Sequence, residues 1–153
     1  MTAQPGLYLE DLAVGMRFHA GPIAISADDI KRFAGEFDPQ PFHLDEAAAM
    51  GTFFQGLAAS GWHTASLTMR LLTLGGGAPF ASGVIGAGMT IEWPRPTRPG
   101  DELSVESEIL EIVPSRSKLG RATMTIRTTT TNQRGEAVQI LTGKLLAFAR
   151  STV

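Results

Sequence analysis

The chain has 153 residues, of which 43% are hydrophobic and 18% charged, so it is long enough to bury a core and too apolar to remain disordered. Its net charge of −2 offers no general basic surface for nucleic acid, and the lack of cysteine excludes disulfides, thiolate nucleophiles and cysteine-bound metals. We find no signal-peptide pattern and no apolar run of the roughly 20 residues that span a bilayer. We therefore expect a cytoplasmic protein with one domain over residues 1–153 and no membrane partner.

The first third of the chain predicts an edge strand followed by a capped helix. Residues 1–15 indicate an irregular lead-in, and residues 16–25 have the length of a strand that a Gly-Pro pair interrupts, which suits a sheet edge. Ser26 and Asp29 form a capping-box pattern. The apolar spacing behind them predicts a helix that ends before Pro39.

Two more helices are predicted before the pattern changes. Residues 45–50 have the length of one short helix, closed by Gly51. Residues 61–74 are apolar around nearly the whole helical circumference, which predicts a helix buried on all sides. Residues 38–43 contain two prolines, which predict a stiff extended loop and not a helix.

The C-terminal half alternates apolar and polar residues and predicts an antiparallel meander. A first strand stops at Pro94. A second strand is expected to bury every other residue of the stretch 103–113, Val113 included. A third strand follows, and a last strand over residues 138–149 slips in its alternation near Ile140, which suggests a bulge.

These elements assemble most economically as an α+β fold in which a curved antiparallel sheet wraps the helix at residues 61–74. That helix is the element apolar enough to be enclosed. An open sheet leaves its edges exposed, and pairing two protomers would cover one edge. The sequence therefore predicts a homodimer.

Asp38 and His43 are the first candidates for chemistry. A carboxylate and an imidazole that lie close together can share one water molecule, as acid–base catalysis requires. The nearby helix start at Gly61 offers free backbone N–H groups and a positive dipole end for a developing oxyanion. Without further context, however, an Asp and a His five residues apart usually belong to a turn or form a surface pair.

The other histidines do not extend this site. His19, His43 and His63 lack the spacing of metal ligands, and Asp45 does not complete a set, so we expect no metal. His19 is predicted to lie on a strand surface. His63, inside the long helix, is predicted to be a hydrogen-bonded core residue.

A family resemblance adds to this interpretation. Residues 38–45, DPQPFHLD, resemble the D-x-(N/Q)-P-x-H-x-D signature of MaoC-like hydratases and dehydratases. The resemblance extends to Ala59 and Gly61, and to the RPGD loop at residues 98–101. It implies a hot-dog fold, a homodimer whose sheets join edge to edge, and an acyl thioester of coenzyme A as substrate. The best-known members are R-specific enoyl-CoA hydratases.

Carried over residue by residue, the resemblance makes Asp38 and His43 the catalytic pair that activates water, and the Gly61 N–H the donor to the thioester oxygen. Coenzyme A is then part of the substrate, and no separate cofactor is implied. Some hydratases carry a serine near the position of Met69, which this chain lacks, so the acyl pocket is expected to differ. Residues expected to contact the substrate are Gln40, Pro41, Ala59, Ser60 and Trp62.

Several alternatives remain open. A hot-dog thioesterase would direct water at the thioester carbonyl, and a non-catalytic module would only bind acyl-CoA. Trp62, Phe53 and Phe54 are candidates for the wall of an acyl tunnel, or for the core or dimer interface. A set of loop cations could meet the phosphates of coenzyme A or simply be solvated. That set comprises Arg95, Arg98, Arg116, Lys118 and Arg121.

Overall fold

Alternating residues build the sheet on which the fold rests. The computed structural model describes residues 6–152. The strands pair antiparallel throughout, in the order β1-β3-β4-β5-β2, so that β1 and β2 are the edges. The predicted edge strand and the predicted meander are both confirmed. The strands are β1 (Arg17–Ala24), β2 (Gly86–Glu92), β3 (Glu102–Pro114), β4 (Arg121–Thr131) and β5 (Ala137–Phe148).

All four α-helices lie between the first two strands in sequence. The predicted capping box is present, since the Ser26 hydroxyl accepts from the Asp29 N–H at 3.0 Å and the Asp29 carboxylate accepts from the Ser26 N–H at 3.0 Å. This cap fixes the start of the helix whose other end carries Asp38. The helices are α1 (Ala27–Phe37), α2 (Pro41–Leu44), α3 (Glu46–Met50) and α4 (Gly61–Thr73).

Helix α4 packs against the sheet through one face only. Leu71 and Leu72 are buried and join Val105 of β3 in one apolar cluster. Burying a leucine side chain contributes about 1.5–3 kcal/mol, so this contact anchors the helix. Trp62 and Met69, on the other face, are 60% and 36% exposed. The prediction of burial on all sides is therefore wrong, because five strands of one chain cover a single side of the helix.

The register of β3 also differs from the prediction. The pairing with β4 shifts between Ile109 and Glu111. This irregularity turns Ile112 towards the apolar cluster around Ile109 and leaves Val113 half exposed. Strict alternation therefore assigned Val113 to the wrong face, since one irregular residue reverses every position that follows it.

The predicted bulge of β5 is real but lies earlier. The register against β4 shifts between Ala137 and Gln139, which places the extra residue at Val138 and not near Ile140. Val138 and Gln139 are consecutive and both fully buried, as a bulge allows. Gln139 therefore points its amide into the interior of the protein.

Residues 6–16, before β1, are irregular, as predicted, apart from a short 3₁₀ turn at Leu9–Asp11 and a single bridge between Leu7 and Phe80. The part of this predicted lead-in that precedes Gly6 lies outside the described residues. Within residues 6–152, no helix has both the length and the hydropathy that crossing a bilayer requires.

The capping box is expected to contribute to the free energy of unfolding. Replacing Ser26 with alanine removes one acceptor from the first turn of α1, and we expect the free energy of unfolding to fall by about 1 kcal/mol. Equilibrium urea unfolding followed by circular dichroism measures this change.

Ser66→Ala is the matched control for this substitution. The Ser66 hydroxyl donates to the Trp62 carbonyl within α4 at 2.8 Å and caps nothing. Its loss should change the free energy of unfolding by less than about 0.5 kcal/mol. Equal destabilisation by the two substitutions would contradict the role assigned to the cap.

Candidate functional site

Two short elements place Asp38 and His43. Asp38 ends α1, where its N–H donates to the Ala34 carbonyl at 2.9 Å. Pro41 is the first residue of α2, and His43 lies within its first turn. The predicted extended loop is therefore confirmed for residues 38–40, which precede the helix, and wrong for residues 41–43. Proline suits the first position of a helix, because its φ is already helical and its missing N–H would have no partner there.

The imidazole of His43 is held by a backbone carbonyl. The ring is 4% exposed, and its Nδ1 lies 2.6 Å from the carbonyl oxygen of Ala58. A carbonyl only accepts hydrogen bonds, so Nδ1 carries a proton. In the neutral ring, Nε2 is then an unprotonated acceptor. That Nε2 lies 3.3 Å from the Asp38 carboxylate.

The Asp38 carboxylate is set up to remain ionised. The Gln40 side-chain amide donates to it at 2.6 Å. Burial acts most strongly on its pKa and raises it, but hydrogen bonds from Ser60 and Gln40 and the neighbouring His43 together outweigh burial, so the pKa of Asp38 lies below its usual value. Asp38 and the neutral ring of His43 thus present two acceptors to the same space.

The first turn of α4 forms another part of the site. Ser60 is the N-cap, and its hydroxyl accepts from the Trp62 N–H at 3.3 Å. Within residues 6–152, the Gly61 N–H donates to no protein acceptor. A Cβ at Gly61 would lie 2.6 Å from the indole ring of Trp93, so that only glycine fits there without displacing the ring. The helix start therefore keeps a free donor beside an aromatic wall.

One cleft of about 420 Å³ unites these groups. Of the predicted site residues it is lined by Asp38, His43, Ala59, Gly61 and Trp62. Sequence reasoning missed Trp93 as a wall of the cleft, because its alternating position predicted only a strand residue. The remaining lining residues are Phe53, Phe54, Thr64, Trp93, Pro94, Arg95, Pro96 and Thr97.

Gln40, Pro41 and Ser60 were predicted to contact the substrate, but they do not line this cleft. Gln40 is exposed and binds Asp38, and Pro41 begins α2 at the surface. Ser60 is fully buried because it caps α4. Gln40 and Ser60 contact lining groups from outside the cleft, since both bind Asp38.

The loop cations have different surroundings. Arg98 is half-buried, and its guanidinium donates to the carbonyls of Gly56 at 2.9 Å, Leu57 at 3.2 Å and Phe54. It ties the loop before α4 to the loop before β3. Arg95 lines the cleft and lies 3.4 Å from Glu136. The other three cations of the set lie near the β3–β4 hairpin and do not line the cleft.

His63 differs from its prediction. It is buried and stacks on Phe33 with ring centroids 4.5 Å apart, but its Nδ1 has no hydrogen-bond partner among the described residues. Burial lowers the pKa of His63, Asp29 opposes this effect, and Arg32 adds to it. His19 is exposed on β1, as predicted. In the described part of the chain, no three His, Cys, Asp or Glu side chains are grouped as metal ligands would be.

The chain is similar in sequence to known proteins of one family. Residues 11–133 match a family model described as MaoC like domain. The chain is 34% identical over 116 residues to the 3-hydroxybutyryl-CoA dehydratase of Methylorubrum extorquens, which covers 73% of this chain and 69% of that relative.

Two solved structures extend the likeness over nearly the whole chain. A MaoC-like dehydratase from Rhodospirillum rubrum is 59% identical, with a TM-score of 0.93 over 95% of this chain and 99% of the other. The R-hydratase PhaJ1 from Pseudomonas aeruginosa is 30% identical, with a TM-score of 0.73 over 95% of this chain and 88% of the other. The predicted α+β hot-dog fold is confirmed.

The surroundings of His63 predict a pH dependence of stability. Because the folded-state pKa of His63 is lowered, the unfolded chain binds a proton more readily, so this residue's contribution to stability is complete above the unfolded pKa of about 6.5 and is lost as pH falls towards the folded pKa.

In the wild type, we expect the free energy of unfolding to fall between pH 7.5 and pH 5.5. In His63→Phe, which keeps a ring against Phe33, this fall should be smaller. Urea unfolding at several pH values measures the two slopes. Equal slopes for the wild type and the variant would contradict this account of His63.

Proposed function

Because the chain belongs to the family of MaoC-like dehydratases, we propose that it is a hydro-lyase that reversibly adds water to a trans-2-enoyl-CoA and yields an (R)-3-hydroxyacyl-CoA. The observation that carries this proposal is the pair of acceptors formed by Asp38 and His43 Nε2, 3.3 Å apart in a cleft beside a helix start. The names of the R-hydratase and of the 3-hydroxybutyryl-CoA dehydratase support the same reaction class.

The pair is suited to hold a water molecule. A water that donates one hydrogen to His43 Nε2 and the other to Asp38 has its oxygen lone pairs directed away from both groups. In hydration, that oxygen bonds to the β-carbon while one group of the pair takes a proton. The electrons of the carbon–carbon double bond move onto the oxygen of the thioester carbonyl, and the carbonyl re-forms as the pair returns the proton taken from water to the α-carbon. Dehydration is the reverse sequence.

The carbonyl oxygen gains negative charge during this step and needs a donor. The Gly61 N–H has no protein acceptor among residues 6–152, lies at the positive end of α4 and belongs to a residue that lines the same cleft. In other enzymes, one such preorganised donor lowers the activation free energy by about 3–4 kcal/mol. Ala59 and Trp62 would bound the acyl group in this arrangement.

We propose that the active form is a homodimer paired through β2. This strand is a sheet edge, and most of its residues are exposed. Pairing with a second copy would satisfy its free backbone groups and bury apolar side chains such as Met89, which is 48% exposed.

If the protein is a dimer, sedimentation equilibrium should give a mass twice that of a single chain. Met89→Lys would bury an unpaired charge in the interface and should shift the equilibrium towards monomer. Leu119→Lys is the matched control, because Leu119 is 99% exposed on the hairpin between β3 and β4. A monomeric wild type, or equal effects of the two lysines, would contradict the proposed interface.

The central test is turnover of a series of trans-2-enoyl-CoA substrates, followed by the loss of enoyl-thioester absorbance and by chiral analysis of the product. Asp38→Asn replaces the carboxylate and His43→Gln replaces the imidazole with an amide that cannot take a proton from water, and we expect kcat to fall at least about 100-fold in either variant. His19→Gln, which changes an exposed histidine on β1, should retain the wild-type rate.

Other outcomes identify the competing functions. Release of free coenzyme A without a hydroxyacyl product would indicate a thioesterase. Binding of acyl-CoA with no turnover of any chain length would indicate a binding module. Turnover that survives both the Asp38 and the His43 substitution would contradict the proposed pair.

A further inference from the structure

Trp93 lies against the first turn of α4. Its ring approaches Gly61 so closely that a Cβ there would meet Cε2, Cζ2 and Cδ2 at 2.6–2.9 Å. The indole also meets Trp62 edge to face, with centroids 5.6 Å apart. Trp93 is nevertheless 41% exposed and follows the end of β2, so packing alone does not enclose it.

A buried amide holds this ring in place. The indole N–H of Trp93 donates to Gln139 Oε1 at 3.0 Å, and Gln139 Nε2 donates to the Thr68 hydroxyl at 3.2 Å. An indole nitrogen can only donate, so the orientation of the amide is fixed, with its oxygen towards Trp93. Thr68 in turn lies 2.6 Å from the hydroxyl of Thr130.

The members of this chain of hydrogen bonds are deeply buried. Gln139 and Thr130 are fully buried and Thr68 is 1% exposed. They belong to β5, β4 and α4 respectively, so the anchor of the indole is fixed by three elements at once. A fully paired buried network of this kind is rigid, and breaking one member leaves another unsatisfied.

We propose that Gln139 is a positioning residue for the hydratase reaction, which acts by holding the Trp93 indole against Gly61. This proposal rests on the proposed function. The ring packs against Gly61, the residue that carries the donor, and excludes water from that side of the residue. A donor in a site with less water stabilises a developing oxyanion more strongly. When the bond to Gln139 is lost, the half-exposed indole turns outward, and water reaches the donor.

Fluorescence tests the structural half of the proposal without reference to catalysis. The chain has two tryptophans, so Trp62→Phe leaves Trp93 as the single tryptophan, whose emission is excited selectively over that of the one tyrosine. In that background, Gln139→Met removes the acceptor at nearly constant volume. We expect the emission to shift to longer wavelength and quenching by acrylamide to rise. Ser107→Ala, which breaks a buried hydroxyl pair with Thr128 at 2.8 Å, should leave both unchanged.

Kinetics tests the functional half. We expect Gln139→Met to lower kcat about tenfold with a smaller change in KM, since the shielded donor acts mainly on the transition state. In a Trp93→Phe background, which has a ring but no N–H to hold, the same substitution should change kcat little. Ser107→Ala again provides the control for general loosening of the core.

The outcomes separate the two proposals. Unchanged Trp93 emission and quenching in Gln139→Met would overturn the positioning role, as would an equal loss of kcat in the presence and absence of the indole N–H. If the wild type hydrates no enoyl-CoA, the proposed function fails, and the fluorescence result alone then decides whether Gln139 positions the ring.

Discussion

The hydrogen bond from His43 Nδ1 to the Ala58 carbonyl is the constraint on which the candidate site depends. At 2.6 Å it fixes both the orientation and the tautomer of a buried imidazole, so that Nε2 faces Asp38 as an acceptor. The carbonyl is itself fixed, because the Ala58 N–H donates to Phe42 in the helix that carries His43. Arg98 holds the preceding turn of this loop through three backbone carbonyls.

The same loop delivers the second half of the chemistry. Residues 58–61 supply in succession the carbonyl for His43, a wall of the cleft, the cap of α4 and the free Gly61 N–H. The proposed oxyanion donor and the proposed base His43 are thus linked by one hydrogen bond and the backbone of residues 58–61. The sheet contributes by anchoring α4 through Leu71 and Leu72, far from the reacting atoms. Such preorganisation is what an enolate-forming reaction requires.

The sequence predicted the parts of this arrangement that depend on local pattern or on side-chain chemistry. The capping box, the strand alternation and the pairing of Asp38 with His43 are all of this kind. The role of Ala58 could not be predicted, since every residue has a carbonyl and its use depends on tertiary structure. Trp93 is remote from the motif in sequence, and no local signal connects it to Gly61. Periodicity failed at Val113, because the irregular residue of β3 reverses the alternation of all later positions, whereas in β5 it indicated a bulge but misplaced it by about two residues.

The most direct test of this account is the protonation of the His43 ring, measured by ¹⁵N nuclear magnetic resonance on the protein labelled at histidine nitrogens, with His43→Gln used to assign the signals. The account predicts that neutral His43 carries its proton on Nδ1, and that the Nε2 resonance moves in Asp38→Asn while the Nδ1 proton stays in place. A neutral ring protonated on Nε2 could not accept a hydrogen bond from the water through that atom and would contradict the central claim.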